Sequence, residues 1–184
     1  AIFTEEMEKN HVRRRRLSEK IMQAFSDDGF YFVLQPLFDI RTGEITGAEA
    51  LARMRSTGEE IMPGEFIPLM ETVGDITRLD FLIYDKVCRY MAERKRRGLS
   101  SFSVSVNISR EEFKNAGFVD DFHRLVTGYG VDPKDLGLEI TESIFVENLM
   151  EISDAVNRFR EYGYPILLDD FGSGFSSLNV LKDI

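Results

Sequence analysis

Apolar and polar residues follow two different periods along this chain, and the switches between them mark out its elements. From residue 4 to 26 charges dominate, with Met7, Leu17, Ile21 and Phe25 among few apolar positions, so the segment reads as a charged helix. Asp27-Asp28-Gly29 breaks it. A strand is predicted from Phe30 to about Phe38, a turn at Arg41-Thr42-Gly43-Glu44, and a second strand from Ile45 to Met54. Pro63 suits the first turn of a short helix carrying Phe66, Ile67 and Met70, which Gly74 stops. Leu79, Leu82, Ile83, Val87, Tyr90 and Met91 recur at helical spacing from about Thr77 to Arg97, with Gly98 as the stop. A strand at 102–108, helical segments between Arg110 and Thr127, and a strand at 136–141 come next. A helix from about Glu147 to Tyr162 then rests on Leu149, Ile152, Val156 and Phe159, and Gly163 leads into a strand at 165–169. From Ile45 onward strands and helices alternate, the pattern of a parallel sheet with helical crossovers.

Within the strands, oxygen ligands stand near the carboxyl ends. In Ser103-Val104-Ser105-Val106-Asn107 the branched residues share one parity and the polar ones the other. Leu136, Leu138 and Ile140 share a face and leave Glu139 on the opposite one, while Pro165-Ile166-Leu167-Leu168 runs directly into Asp169-Asp170. In Gly47-Ala48-Glu49-Ala50-Leu51-Ala52-Arg53, alternation places Glu49, Leu51 and Arg53 together, and the alanines form a face that a helix can approach closely. Sites on parallel sheets and barrels form at the carboxyl ends of strands. Glu49, Asn107, Glu139 and the Asp169-Asp170 doublet would converge there as a set of hard oxygen donors. Two adjacent aspartates after an apolar strand repel one another unless cations or donors compensate.

Composition narrows the chemistry further. A chain of 184 residues fits one ordinary domain. Its formal charge of −9 argues against a general affinity for nucleic acid duplexes, which need a basic footprint. Only His11 and His123 are present, and neither ends an apolar strand, so a histidine-rich zinc site and a Ser-His-Asp triad both fit poorly. Any metal should therefore be oxygen-ligated: Mg²⁺, Mn²⁺ or Ca²⁺. The single Cys88, in a helical pattern, suits a buried apolar role and a reducing cytoplasm. No apolar run approaches a membrane span, so no membrane contact is expected within this segment.

Several features also have plainer explanations. Arg13-Arg14-Arg15-Arg16 reads most simply as a solvated helix face. Glu49 and Arg53 on an edge strand would make a surface ion pair instead of a site. Ser109 and Glu112 have the spacing of a capping box, which accounts for them without catalysis but leaves Asn107 unexplained. Glu142, three positions after Glu139, faces away from it and is a loop anchor or a cap acceptor.

Taken together these pieces resemble the EAL domain family, the cyclic-di-GMP phosphodiesterases of bacterial second-messenger signalling. The resemblance rests on Leu34-Gln35-Pro36, Glu49-Ala50-Leu51 followed by Arg53, and Pro63 with Phe66-Ile67-Pro68, Glu71 and Gly74. It continues through Asn107-Ile108-Ser109, Glu139-Ile140-Thr141-Glu142-Ser143 and Asp169-Asp170-Phe171-Gly172-Ser173-Gly174-Phe175-Ser176-Ser177-Leu178. It implies a (β/α)8 TIM-type barrel whose first strand is antiparallel, with residues 1–27 a charged linker helix and 28–184 the EAL domain. It also implies metal binding by Glu49, Asn107, Glu139, Asp169 and Asp170, with two Mg²⁺ or Mn²⁺ ions about 3.5–4 Å apart. Gln35, Leu51 and Arg53 would contact the dinucleotide, Arg53 through phosphate. Glu142 with Phe171, Gly172, Ser173 and Gly174 would form the loop that couples metal binding to homodimerisation. Ala1-Ile2-Phe3 is similar to the junction after a GGDEF domain, and a parent protein of that kind could be attached to a membrane through other domains.

The expected catalytic lysine, in a Lys-Ile-Asp-like motif, would lie beyond Ile184, and Lys182 does not replace it. Barrels of this kind run to about 250 residues. The chain is therefore expected to be the amino-terminal part of the domain, truncated after about five strands and inactive alone. Its open sheet edges would need a partner or further chain. The enzymatic alternative to a phosphodiesterase is a barrel of enolase-like chemistry. The non-enzymatic one is a cyclic-di-GMP receptor that binds without hydrolysis.

Overall fold

The structure is a computed structural model describing residues 2–99, 102–141, 144 and 149–169. A long helix α1 (Ile2–Ser26) leads into an antiparallel ribbon of β1 (Phe30–Phe38) and β2 (Ile45–Ser56), with a short β3 (Glu59–Ile61) folded back on β2. Helices α2 (Pro63–Val73) and α3 (Ile76–Arg96) precede β4 (Ser103–Asn107). A 3-10 turn (Arg110–Lys114), α4 (Phe118–Gly128) and a second 3-10 turn (Pro133–Asp135) lead to β5 (Leu136–Thr141), followed by α5 (Leu149–Glu161) and β6 (Ile166–Asp169). The strands form one sheet ordered β1-β2-β4-β5-β6, with β3 beside β2. From β2 to β6 the main path is parallel, and β1 alone on that path is antiparallel. This is the strand order expected of a TIM-type barrel through its fifth long strand.

β3 had no counterpart in the hydrophobic pattern, because its three residues are too few to show a period. Thr57 (φ 52°) and Gly58 (φ 80°) are both left-handed between Ser56 and Glu59, which are register partners. Two positive-φ residues make the hairpin turn that suits strand twist. Threonine is an unusual occupant of the first position, and that hid the turn.

Strand parity sorts the sheet into two unlike faces. Ala48, Ala50, Met54, Val104, Val106, Leu136, Leu138 and Ile140 are all buried on the helix side. The alanines have the role expected of them: β2 lies inside the sheet, between β1 and β4, so the edge-strand alternative for Glu49 and Arg53 is set aside. α3 covers β1, where Phe32 meets Tyr90 edge to face at 5.8 Å. Further along, Tyr84, Phe118, Phe122, Phe159 and Tyr164 interlock with ring centroids 5.0–5.9 Å apart, geometry that aromatic quadrupoles favour. Cys88 is fully buried in this layer and its thiol is pushed up to about 12, first by burial and then by the Asp85 charge. It is an apolar filler, as expected.

The last turns of α1 join the same core through Ile21 and Ala24, and Lys20 pairs with Glu59 at 2.5 Å. Arg13 and Arg15 are largely exposed and pair with Glu65 and Glu19, so the arginine run is a solvated face. No helix among the described residues is long and apolar enough to cross a membrane.

Candidate functional site

The opposite face of the sheet carries the polar positions. Register pairs Gln35 with Glu49 across β1 and β2, and Glu49 with Ser105 across β2 and β4. Asn107 pairs with Glu139 across β4 and β5, and Thr141 with Asp169 across β5 and β6. In-register residues share a face, so Gln35, Glu49, Leu51, Arg53, Ser105, Asn107, Glu139 and Asp169 look the same way. Gln35 and Asn107 are exposed, Glu49, Arg53 and Asp169 half-buried, and Glu139 buried. Val33, Leu37 and Leu167 share this face and are each more than a third exposed. All the donors but Glu139 thus stand on an accessible surface.

Asn107 connects the acids. Its Nδ2 donates to Glu49 Oε1 at 2.8 Å, and because a carboxylate only accepts, this turns the amide oxygen away from Glu49. The Ser105 hydroxyl donates to Glu139 Oε1 at 2.5 Å. Burial pushes the Glu139 carboxyl up to about 7, and the charges of Glu49 and Asp169 add to the rise while the Ser105 hydrogen bond opposes it. A direct carboxyl contact between Glu139 and Glu49 raises it further. Two carboxyl groups this close need a proton or a cation between them. That excess of negative charge, with oxygen as the sole donor element, fits a hard divalent ion. Among the described residues no three His, Cys, Asp or Glu side chains close around one point: the acids are spread over β2, β5 and β6, and Asn107 stands among them as the fourth donor.

Gln35 faces the backbone of Glu49 from β1, Leu51 follows two residues along β2, and Arg53 donates from Nη1 to the Ala52 carbonyl at 2.8 Å. Asp170, Glu142, Phe171, Gly172, Ser173 and Gly174 lie outside the described residues. Neither histidine joins the site. His11 is exposed on α1, and His123 stacks on Tyr162 with centroids 3.9 Å apart while its Nδ1 meets the Tyr164 hydroxyl at 3.1 Å.

The capping box expected at Ser109 and Glu112 is not formed. Ser109 is the residue before the 3-10 turn, but its side chain caps nothing. Glu112 turns inward and is 1% exposed, so it cannot reach back to the cap. The tight turn directs Glu112 toward α3, where its carboxyl is pushed up to about 8 by burial and by the Asp80 charge. Burial likewise raises Asp80 to about 7. Asp80, Tyr84 and Ser105 were not among the residues expected at the site. For Ser105 a signal existed, its shared parity with Asn107. For Asp80 and Tyr84 there was none, since each sits inside an ordinary helical period.

Comparison with known proteins places these features in a family. A family model described as the EAL domain matches residues 18–184. The chain is 31% identical to the uncharacterized protein Rv1354c of Mycobacterium tuberculosis over 186 residues, covering 100% of this chain and 30% of that protein. It is 31% identical to cyclic di-GMP phosphodiesterase PA2567 of Pseudomonas aeruginosa over 160 residues, covering 86% of this chain and 27% of the relative. The structure superposes on the PaMucR phosphodiesterase in complex with c-di-GMP with a TM-score of 0.85 at 30% identity, covering 92% of this chain and 69% of that one. The chain thus spans less than a third of the two relatives matched by sequence.

Proposed function

Because this chain belongs to the EAL domain family, we propose that its domain hydrolyses cyclic-di-GMP to the linear dinucleotide with Mg²⁺ or Mn²⁺, two ions in the complete site. The observation that carries this reading is the register of the sheet. It puts Glu49, Asn107, Glu139 and Asp169 on one face of successive parallel strands, beside Gln35, Leu51 and Arg53. The binding of c-di-GMP by the PaMucR phosphodiesterase supports the choice of ligand.

Glu49, Glu139 and Asp169 would hold the cations through carboxylate oxygen and Asn107 through its amide oxygen, with Asp170 completing the set. Bound divalent ions polarise phosphoryl oxygens and lower the pKa of water. The chain's own residues do the rest. Ser105 fixes the Glu139 carboxyl by hydrogen bonding and keeps it easier to ionise. Asn107 orients Glu49. Arg53 offers a planar guanidinium suited to a phosphate, and Gln35 and Leu51 border the place where the dinucleotide would lie. Glu142 and the segment from Phe171 to Gly174 are assigned to coupling the site to a homodimer. A reducing cytoplasm suits the free, buried Cys88.

Hydrolysis assayed with each ion, for the wild-type domain and for Glu49→Ala, tests this function. We expect linear dinucleotide from the wild type and loss of both turnover and metal-dependent ligand binding in the variant. If neither ion supports hydrolysis and Glu49→Ala binds cyclic-di-GMP as the wild type does, the enzymatic reading is wrong.

A further inference from the structure

The exit of β4 is held from behind by Tyr84 of α3. Tyr84 is 1% exposed, and its hydroxyl donates to the main-chain carbonyl of Asn107 at 3.0 Å. Asp80, four residues earlier and so on the same face of α3, lies against Ser109. The Ser109 hydroxyl and N–H favour the charged form of Asp80, yet Asp80 Oδ2 and Ser109 Oγ make no hydrogen bond of ordinary geometry. From the sheet side, the Ile108 N–H donates to the Glu139 carbonyl at 2.9 Å. Asn107 thus sits between an anchor to β5 and an anchor to α3.

Packing alone does not fix this exit. A cavity of about 130 Å³ adjoins it, lined by Leu51, Arg53, Asp80, Tyr84 and Asn107 among others. Beside that cavity the hydroxyl of Tyr84 ties the Asn107 carbonyl to α3, while the Ile108 N–H ties the next residue to β5. A phenylalanine would fill the same aromatic layer with Phe81 and Phe122 equally well, so the hydroxyl answers a need other than packing.

We infer that Tyr84 is a positioning residue for the divalent cation site. By holding the main-chain carbonyl of Asn107 it sets where the Asn107 amide oxygen points. The inference rests on the metal-site reading above and adds to it a residue that touches neither ion nor substrate.

Tyr84→Phe removes one hydroxyl and little else. The direct measurement is calorimetric titration of the protein with Mn²⁺ in the absence of substrate, beside a thermal melt without metal. We expect Mn²⁺ affinity to fall about fivefold, on the scale of one hydrogen bond, with the metal-free melting point within a few degrees of wild type. In turnover assays the loss should be recovered at saturating Mn²⁺, with KM for cyclic-di-GMP within about twofold of wild type. Asp80→Asn, which leaves the Tyr84 hydroxyl in place, should bind Mn²⁺ nearly as the wild type does. A Tyr84→Phe protein that binds Mn²⁺ as tightly as wild type overturns the positioning role while leaving the metal site standing. Failure of the wild type itself to bind Mn²⁺ overturns both.

Discussion

Burial raises the carboxyl groups of Glu139, Asp80 and Glu112 alike, to about 7, about 7 and about 8, but it does so in two unlike settings. Glu139 belongs to a group drawn from four parallel strands whose other members, Glu49, Asn107 and Asp169, stand half-buried or exposed on one face. Asp80 and Glu112 face one another behind the β4 exit, closed in by α3 and a 3-10 turn, with Asp80 Oδ2 and Glu112 Oε1 both lacking hydrogen-bond partners. A raised carboxyl pKa therefore does not by itself mark a site. Convergence and access separate the two groups. The open one can exchange its proton for a cation arriving from solvent, and the closed one can act only through what it holds.

Substitution of the acids tests that distinction most strongly. Glu49→Ala or Asp169→Asn should lower hydrolysis of cyclic-di-GMP by about a thousandfold, the scale on which loss of charge stabilisation at a phosphoryl centre is felt. Asp80→Asn, although it alters an equally perturbed carboxyl, should cost less than about tenfold in the same assay. Equal losses from the two groups would erase the distinction.

Metal-dependent stabilisation is the next largest effect. Mn²⁺ at a hundred times its dissociation constant adds about 2.7 kcal/mol, or roughly 5–10 °C for a chain of this size. Differential scanning fluorimetry at pH 8 should show that shift in the wild type and in Glu112→Gln, and lose it in Glu139→Gln. A shift retained in Glu139→Gln would take the cation out of the open group.

Much of the open group was legible in the sequence because strands write their faces in alternate residues. Glu49, Leu51 and Arg53 against three alanines, and Asn107 against two valines, carried the parity directly, and the sheet placed them accordingly. The closed group was not legible. Asp80 and Tyr84 occupy ordinary positions of an amphipathic helix, and only tertiary packing makes them neighbours of Ser109 and Asn107. Glu112 misled for a related reason. The spacing Ser109 to Glu112 is that of a capping box, but a 3-10 turn has a different pitch from an α-helix and carried the glutamate inward. Local spacing reports local geometry only when the element has the period assumed.

Ser105 offers a smaller test from inside the open group. Its hydroxyl lowers the pKa of Glu139, so Ser105→Ala should raise that pKa further. The carboxylate needed for a cation then appears at higher pH. Mn²⁺ binding at pH 7 should weaken a few-fold and recover as the pH approaches 9, which calorimetry across that range would show. Loss of binding that stays constant with pH would mean that the hydroxyl acts by shape alone.

The smallest effect lies in the closed group, and its direction follows from linkage. Asp80 and Glu112 have ordinary values of 3.8 and 4.5 and folded values of about 7 and about 8. The folded chain therefore holds their protons more tightly than the unfolded chain does, and that contribution is fully present below about pH 4. It is lost progressively as the pH rises through about 7 and about 8, where both carboxyl groups must ionise against burial and, for Glu112, against the charge of Asp80. Glu139 contributes a loss of the same sign, which Mn²⁺ should remove by stabilising its ionised form. Glu112→Gln removes the closed group's share, keeping the side-chain volume and a donor in place of a proton. Melting temperatures of wild type and Glu112→Gln should coincide near pH 5 and separate by roughly 2–4 °C at pH 8.5, with the variant the more stable. Saturating Mn²⁺ should leave that separation intact, because the cation reaches only the open group. A separation that vanishes with Mn²⁺ would show that the two groups titrate as one.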